Sequence, residues 1–134
     1  MYSKHREELL NFFDIVGKLK FEKVVCSISA PYDIETQFSS PWPNNTLPGV
    51  YLFFSNSFDL LYLGESNYIG RRLNNYFNYS TDNNNCGVPI KPESMNTRYI
   101  ITIGLNNNYG WLSQSLEKYL IQELKPERNR IGNY

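Results

Sequence analysis

Pro48-Gly49-Val50-Tyr51 and Leu61-Tyr62-Leu63-Gly64, with Ser55-Asn56-Ser57-Phe58-Asp59 between the two apolar runs, form the stretch on which the fold of this chain turns. Gly49 to Phe54 and Leu60 to Leu63 are aliphatic and aromatic and are bounded by turn formers, which predicts the two strands of a hairpin. Side chains alternate along a strand, and directly opposed residues share a face. A turn centred on Asn56-Ser57 pairs Ser55 with Phe58 and so sets Tyr51 opposite Tyr62. Both phenols then face the same place. Taken singly, each is an ordinary strand tyrosine, one of eleven tyrosines in the chain.

Downstream, Ser66 or Asn67 caps a helix running to about Phe77, with Ile69, Leu73, Tyr76 and Phe77 as its apolar stripe. At about 100° per residue, Arg72 falls on the flank of that stripe and reaches over the sheet, whereas Arg71 points to solvent. Asn78 to Asn96 reads as a long Asn-rich loop, Arg98 to Ile103 as a third strand, and Leu105 to Gly110 as a turn. Trp111 to Lys125 reads as a helix stopped by Pro126. Leu112, Leu116, Tyr119, Leu120 and Leu124 form its buried stripe. Glu117 stands at the edge of that stripe with Ile121 on its far side, a setting suited to a hard cation that takes oxygen ligands. Upstream, Ser3 to Val16 has helical spacing, Leu19 to Ser29 alternates as a strand, and Pro31, Pro41, Pro43 and Pro48 make Ala30 to Pro48 an irregular connection.

The strand-strand-helix-strand-helix order from Gly49 onward predicts an α/β domain. Its centre is a small mixed or antiparallel three-stranded sheet flanked by helices. Residues 1–47 form an N-terminal helix-strand extension, and residues 48–134 form the domain proper.

Composition narrows the function classes. A chain of 134 residues, 16% of them aromatic, has the means to build one core and is not a disordered chain. No apolar run approaches a membrane span, and the N-terminus lacks an apolar signal core, so the expected location is cytoplasmic with no membrane partner. Cys26 and Cys86 show no metal-ligand or disulfide-framework spacing. His5 is the single histidine. Its place near a terminus argues against Ser-His-Asp triads, histidine metal clusters and histidine-based nucleases. Net formal charge is zero, so any nucleic-acid contact must rest on a local basic face.

These residues together resemble the GIY-YIG nuclease superfamily. Gly49-Val50-Tyr51 matches the first motif and Tyr62-Leu63-Gly64 the second. Arg72 follows Tyr62 by ten residues and Tyr76 follows Arg72 by four. Glu117 lies on a later helix, and Pro126-Glu127-Arg128-Asn129 supplies a terminal asparagine twelve residues beyond it. The resemblance runs from roughly Pro48 to Arg130. Two positions depart from it: Glu65 follows the second motif where relatives carry lysine or a polar residue, and Tyr68 stands where many carry asparagine.

The resemblance implies hydrolysis of a DNA phosphodiester with one divalent metal, Mg²⁺ or Mn²⁺. Glu117 would hold the metal and Arg72 would neutralise charge in the transition state. Tyr51 or Tyr62 would activate or position the attacking water, and Tyr76 would orient phosphate or water. Asn129 would stabilise the site. DNA is the implied partner, and a homodimer is compatible because small members that cut both strands often pair. Restriction, repair, mobile-element cleavage and phage defence all use the fold. The competing reading is a catalytically silent nucleic-acid-binding or protein-interaction module. The Asn78–Asn96 loop, with Lys91 near the strand bearing Arg98, and the N-terminal segment are expected to set substrate choice.

Overall fold

The computed structural model describes residues 26–81 and 86–129. The helix expected over Ser3 to Val16, and Leu19 to Val25 of the strand that follows, lie outside the described residues. In chain order the elements are β1 (Cys26–Ile28), β2 (Tyr32–Asp33), β3 (Gly49–Phe54), β4 (Leu60–Ser66), α1 (Ile69–Leu73), β5 (Phe77–Tyr79), β6 (Gly87–Pro89), β7 (Tyr99–Leu105) and α2 (Ser113–Leu124). Short 3₁₀ turns lie at Pro92–Ser94 and Asn107–Leu112. The main sheet has the order β1-β7-β3-β4, with β2 also on β7, and every pairing in it is antiparallel. Its centre is the expected three-stranded unit, β7-β3-β4. β1 and β2 extend it, so residues 26–33 belong to the same sheet as the motif strands.

All six residues of β3 are buried, as a strand covered on both faces requires. One face carries Val50, Leu52, Leu63, Ile101 and Ile103 against Leu116, Leu120 and Ile121 of α2. The other carries Tyr51, Phe53 and Ile100 against Ile69 and Leu73 of α1, together with Tyr32, Trp42, Tyr76 and Phe77. Alternation along β3 sends Val50, Leu52 and Phe54 to the first face and Tyr51 and Phe53 to the second. Gly49 starts β3 at φ 153°, where a Cβ would collide with the backbone of Ile103 on β7. Only glycine lets the two backbones close at that point.

The hairpin register differs from the expected one by two residues. Tyr51 opposes Gly64, and Phe53 opposes Tyr62. The cause is the turn. Ser55 N–H donates to Asp59 O, and Ser55 Oγ accepts from the N–H groups of Ser57 and Asp59. Phe58 sits at φ 63° with its ring stacked on Tyr99, centroids 4.4 Å apart. This makes a five-residue loop followed by an irregularity between Phe53 and Phe54. A shift of two preserves the facing of every side chain, so Tyr51 and Tyr62 still share a face, as diagonal rather than direct neighbours.

Three further expectations are corrected. The helix after the second motif ends at Leu73 rather than Phe77. Asn75 and Tyr76 close a tight turn, and the Tyr76 carbonyl is taken by the Ile90 N–H and by Ser94 Oγ. Phe77 then enters β5. The Asn78–Asn96 stretch is therefore not a plain loop: it holds the β5–β6 ladder and the 3₁₀ turn at Pro92–Ser94. The last helix begins at Ser113, and Trp111 belongs to the 3₁₀ turn before it. No helix among the described residues is long and apolar enough to cross a membrane.

Candidate active site

β4 is the edge strand of the sheet, and the candidate site is built over that edge, where the α1 and α2 layers meet. An open hollow of about 400 Å³ is lined there by Tyr51, Tyr62, Gly64, Glu65, Arg72, Gln114, Glu117 and Lys118. Each side chain arrives for a local reason. Tyr51 leaves β3 on the aromatic face and lies across Gly64. A Cβ at Gly64 would stand 2.5 Å from Tyr51 Cζ and nearer still to its hydroxyl. The glycine of the second motif is the space through which the phenol of the first motif reaches the edge.

Tyr51 is 1% exposed, and its hydroxyl is 3.2 Å from that of Tyr76. Tyr62 is half-buried, with its ring 6.5 Å from that of Tyr51 and 6.3 Å from that of Tyr76. Burial, followed by the Tyr76 hydroxyl, pushes Tyr51 far above the usual phenol range, and the nearby Arg72 charge opposes this. Burial and the neighbouring Tyr76 also raise Tyr62, with Glu93 and Glu117 adding to the shift. Both phenols are neutral at physiological pH.

Arg72, on the last turn of α1, lines the hollow. Arg71 turns outward and stacks on the Tyr68 ring, 4.8 Å from its centroid. From α2, Glu117 reaches the same hollow. Burial and the neighbouring Glu65 carboxylate hold Glu117 above the usual carboxylate range, while the Glu65 backbone amide and Arg72 favour its charged form. The Glu65 carboxylate itself accepts a 3.4 Å hydrogen bond from Ser113 Oγ.

Glu117 and the neighbouring Glu65, both lining the hollow with Arg72, make an all-oxygen donor set. That set fits a hard divalent cation, which takes few protein ligands and keeps water or phosphate oxygens for the rest. Among the described residues no group of three or more histidine, cysteine, aspartate or glutamate side chains is placed to hold a metal ion.

Asn129 does not enter the hollow. Its side chain accepts from Leu63 N–H and donates to Leu63 C=O, both at 2.8 Å, and so completes the outer edge of β4. Arg128 N–H adds a bond to Leu61 C=O. The terminal asparagine thus supports the strand that carries Tyr62 and Gly64.

The sequence reading gathers Tyr51, Tyr62, Arg72 and Glu117 at the hollow and Tyr76 directly behind it. It misses Gln114 and Lys118, one turn apart on α2 and lining the same hollow as Glu117, and it does not foresee the contact that Lys91 makes. That ammonium lies 5.7 Å from the Tyr76 ring centroid, because the turn at Pro92–Ser94 is strapped to the Tyr76 backbone. Arg98, just ahead of β7, grips Asp33 with two bonds of 2.7 and 2.9 Å.

The edge of an antiparallel sheet thus gathers phenols, an arginine and a carboxylate pair, with no histidine or cysteine lining the hollow. The model of the GIY-YIG catalytic domain matches residues 47–131, more than half of the chain, and the protein belongs to this nuclease family. Comparisons with curated proteins and with solved structures gave no match.

Proposed function

We propose that this protein is a divalent-metal-dependent DNA endonuclease that hydrolyses phosphodiester bonds at the β4 edge. The observation that carries the reading is the convergence of Tyr51, Tyr62, Arg72 and Glu117 on one hollow from four different elements. Glu117, with Glu65 beside it, would hold Mg²⁺ or Mn²⁺. When bound, the cation would polarise the phosphate and stabilise the leaving oxygen.

Arg72 offers a planar fork of donors to two non-bridging oxygens and neutralises the charge that builds on them. Tyr62 is the phenol with solvent access, and it orients the attacking water. Tyr51, almost fully buried and bonded to Tyr76, holds Tyr62 in place through ring contact. Because Tyr62 is neutral, it acts first as a hydrogen-bond acceptor for the water. It can act as a base only after its own O–H proton has left to solvent, a loss that the Arg72 charge and a cation held by Glu117 would favour. Tyr76 and Lys91 form the wall behind.

The test is cleavage of supercoiled plasmid with and without Mg²⁺ or Mn²⁺. Glu117→Ala should abolish cutting. Arg72→Ala should lower turnover by about two to three powers of ten, as loss of a transition-state donor does, and Arg71→Ala should lower it far less. DNA binding without cutting in any divalent metal would make the domain a silent binding module instead.

A further inference from the structure

We infer that Trp111 is a stacking platform for an unpaired nucleobase next to the phosphate that enters the hollow, which makes single-stranded or branched DNA the preferred substrate class. The inference rests on the nuclease reading for the phosphate and on independent observations for the base. Trp111 is the most exposed large apolar residue among those described, at 73%, whereas the other tryptophan, Trp42, is buried. Its indole is not loose: Nε1–H donates to Asn108 C=O at 3.1 Å.

The turn that presents Trp111 is itself braced. Asn106 Oδ1 accepts from the Asn108 N–H, and Gly110 packs on Pro48 so closely that a Cβ there would meet the proline ring at 3.1 Å. A large aromatic face is therefore held rigid in water, which no core packing explains.

Its position gives the occupant. Trp111 lies in the 3₁₀ turn that runs straight into α2, three residues ahead of Gln114, and Lys118 follows Gln114 by one turn of α2. Gln114 and Lys118 already line the hollow. A strand whose phosphate sits between Arg72 and Glu117 thus has, along one wall, a cation for its backbone, an amide for a base edge and an indole for a base face. Stacking needs an exposed π-face, which a base inside a continuous duplex does not offer, whereas a single strand, a flap or a junction does.

The experiment uses the full chain in chelator-containing buffer, where no cutting occurs. The probes are a single-stranded oligonucleotide carrying 2-aminopurine and the same sequence as a closed duplex. Binding of the single strand should quench Trp111 emission, read in Trp42→Phe, and should change 2-aminopurine emission with the otherwise unaltered protein. Trp111→Ala should weaken single-strand binding by about tenfold or more, change duplex binding by less than about twofold, and leave the salt dependence as it was. Trp111→Phe should restore part of the loss. Lys118→Ala should instead flatten the salt dependence by about one unit of slope.

Equal losses on both probes, or no loss on either, would overturn the inference, as would emission that responds only to self-association of the protein. Plasmid or flap cleavage keeps the two readings apart. Cutting that ignores Trp111 leaves the nuclease and removes the platform. Trp111-dependent single-strand binding without cutting in Mg²⁺ or Mn²⁺ does the reverse.

Discussion

Gly64 is the residue on which the site geometry turns most sharply. The Tyr51 phenol occupies the volume that any side chain at 64 would need, and that phenol is hemmed in by the rings of Phe53, Tyr62 and Tyr76. Gly64→Ala should therefore cost about 1–3 kcal/mol in urea unfolding, the usual cost of overpacking, and should depress cleavage further than that loss of stability explains. Wild-type cleavage by this variant would mean that Tyr51 has no part in the chemistry.

At this scale much of the site is legible in the sequence, because its logic is local. Period-two alternation puts both phenols on one face whatever the turn length, provided the error is even. Helical periodicity separates Arg72 from Arg71 for the same kind of reason. Lys91 is not legible, since its place depends on Ser94 and Ile90 binding the carbonyl of Tyr76, a contact that no periodicity encodes.

Among the elements, β4 depends on a segment far from it in sequence. Asn129→Ala would leave the buried N–H and C=O of Leu63 without partners, and the expected loss is about 1–3 kcal/mol. Hydrogen exchange should localise it, with the Leu63 amide losing protection more than those of β7. A global loss with unchanged Leu63 protection would show that Asn129 acts elsewhere.

α2 carries a different irregularity. Lys125 closes it at φ 51° and ψ 62°, a left-handed conformation that L side chains adopt at a cost, just before Pro126. Lys125→Gly should raise stability by about 0.5–1 kcal/mol without changing the metal requirement, as read by thermal melts with and without Mg²⁺. The short α1 and the β5–β6 ladder are the elements that the sequence hides. Tyr76 and Phe77 fit a helical stripe, and only the demand of the aromatic sheet face, with the straps to Ile90 and Ser94, pulls them out of it.

Across the described molecule, an ionic tie joins the N-terminal part of the sheet to β7. Arg98 binds Asp33 through two nitrogens, reaches Glu35 at 3.3 Å and stacks over Tyr99. The hydrogen bond to Arg98 holds Asp33 below the usual carboxylate range. A carboxylate with a depressed folded pKa contributes stability that is fully present above its unfolded value, near 3.9. That contribution fades as pH falls through the lower folded value. Asp33→Asn should therefore destabilise the protein at pH 7 by about 1 kcal/mol, and the gap from wild type should close as the pH drops below about 4. A gap that persists at pH 2 would assign the effect to lost packing rather than charge.

The all-antiparallel sheet and its two helices follow from the order of apolar runs. The extra strands on β7 do not, because β2 is only two residues long and sits in a proline-rich stretch that reads as irregular.

The sealed margin of β4 also bears on how copies of this protein could meet. An open strand margin invites another strand to pair with it, and through such pairing chains join edge to edge or aggregate. Here the Leu61 carbonyl and both backbone groups of Leu63 are already held by Arg128 and Asn129, and the Glu65 amide faces Glu117. A dimer built by continuing the sheet past β4 is thereby closed off, and any pairing for double-strand cutting must use another surface. The same segment makes the solubility of this fold hostage to its last few described residues. A nick after Pro126 would bare the margin, and intermolecular β-pairing would be the first failure to look for.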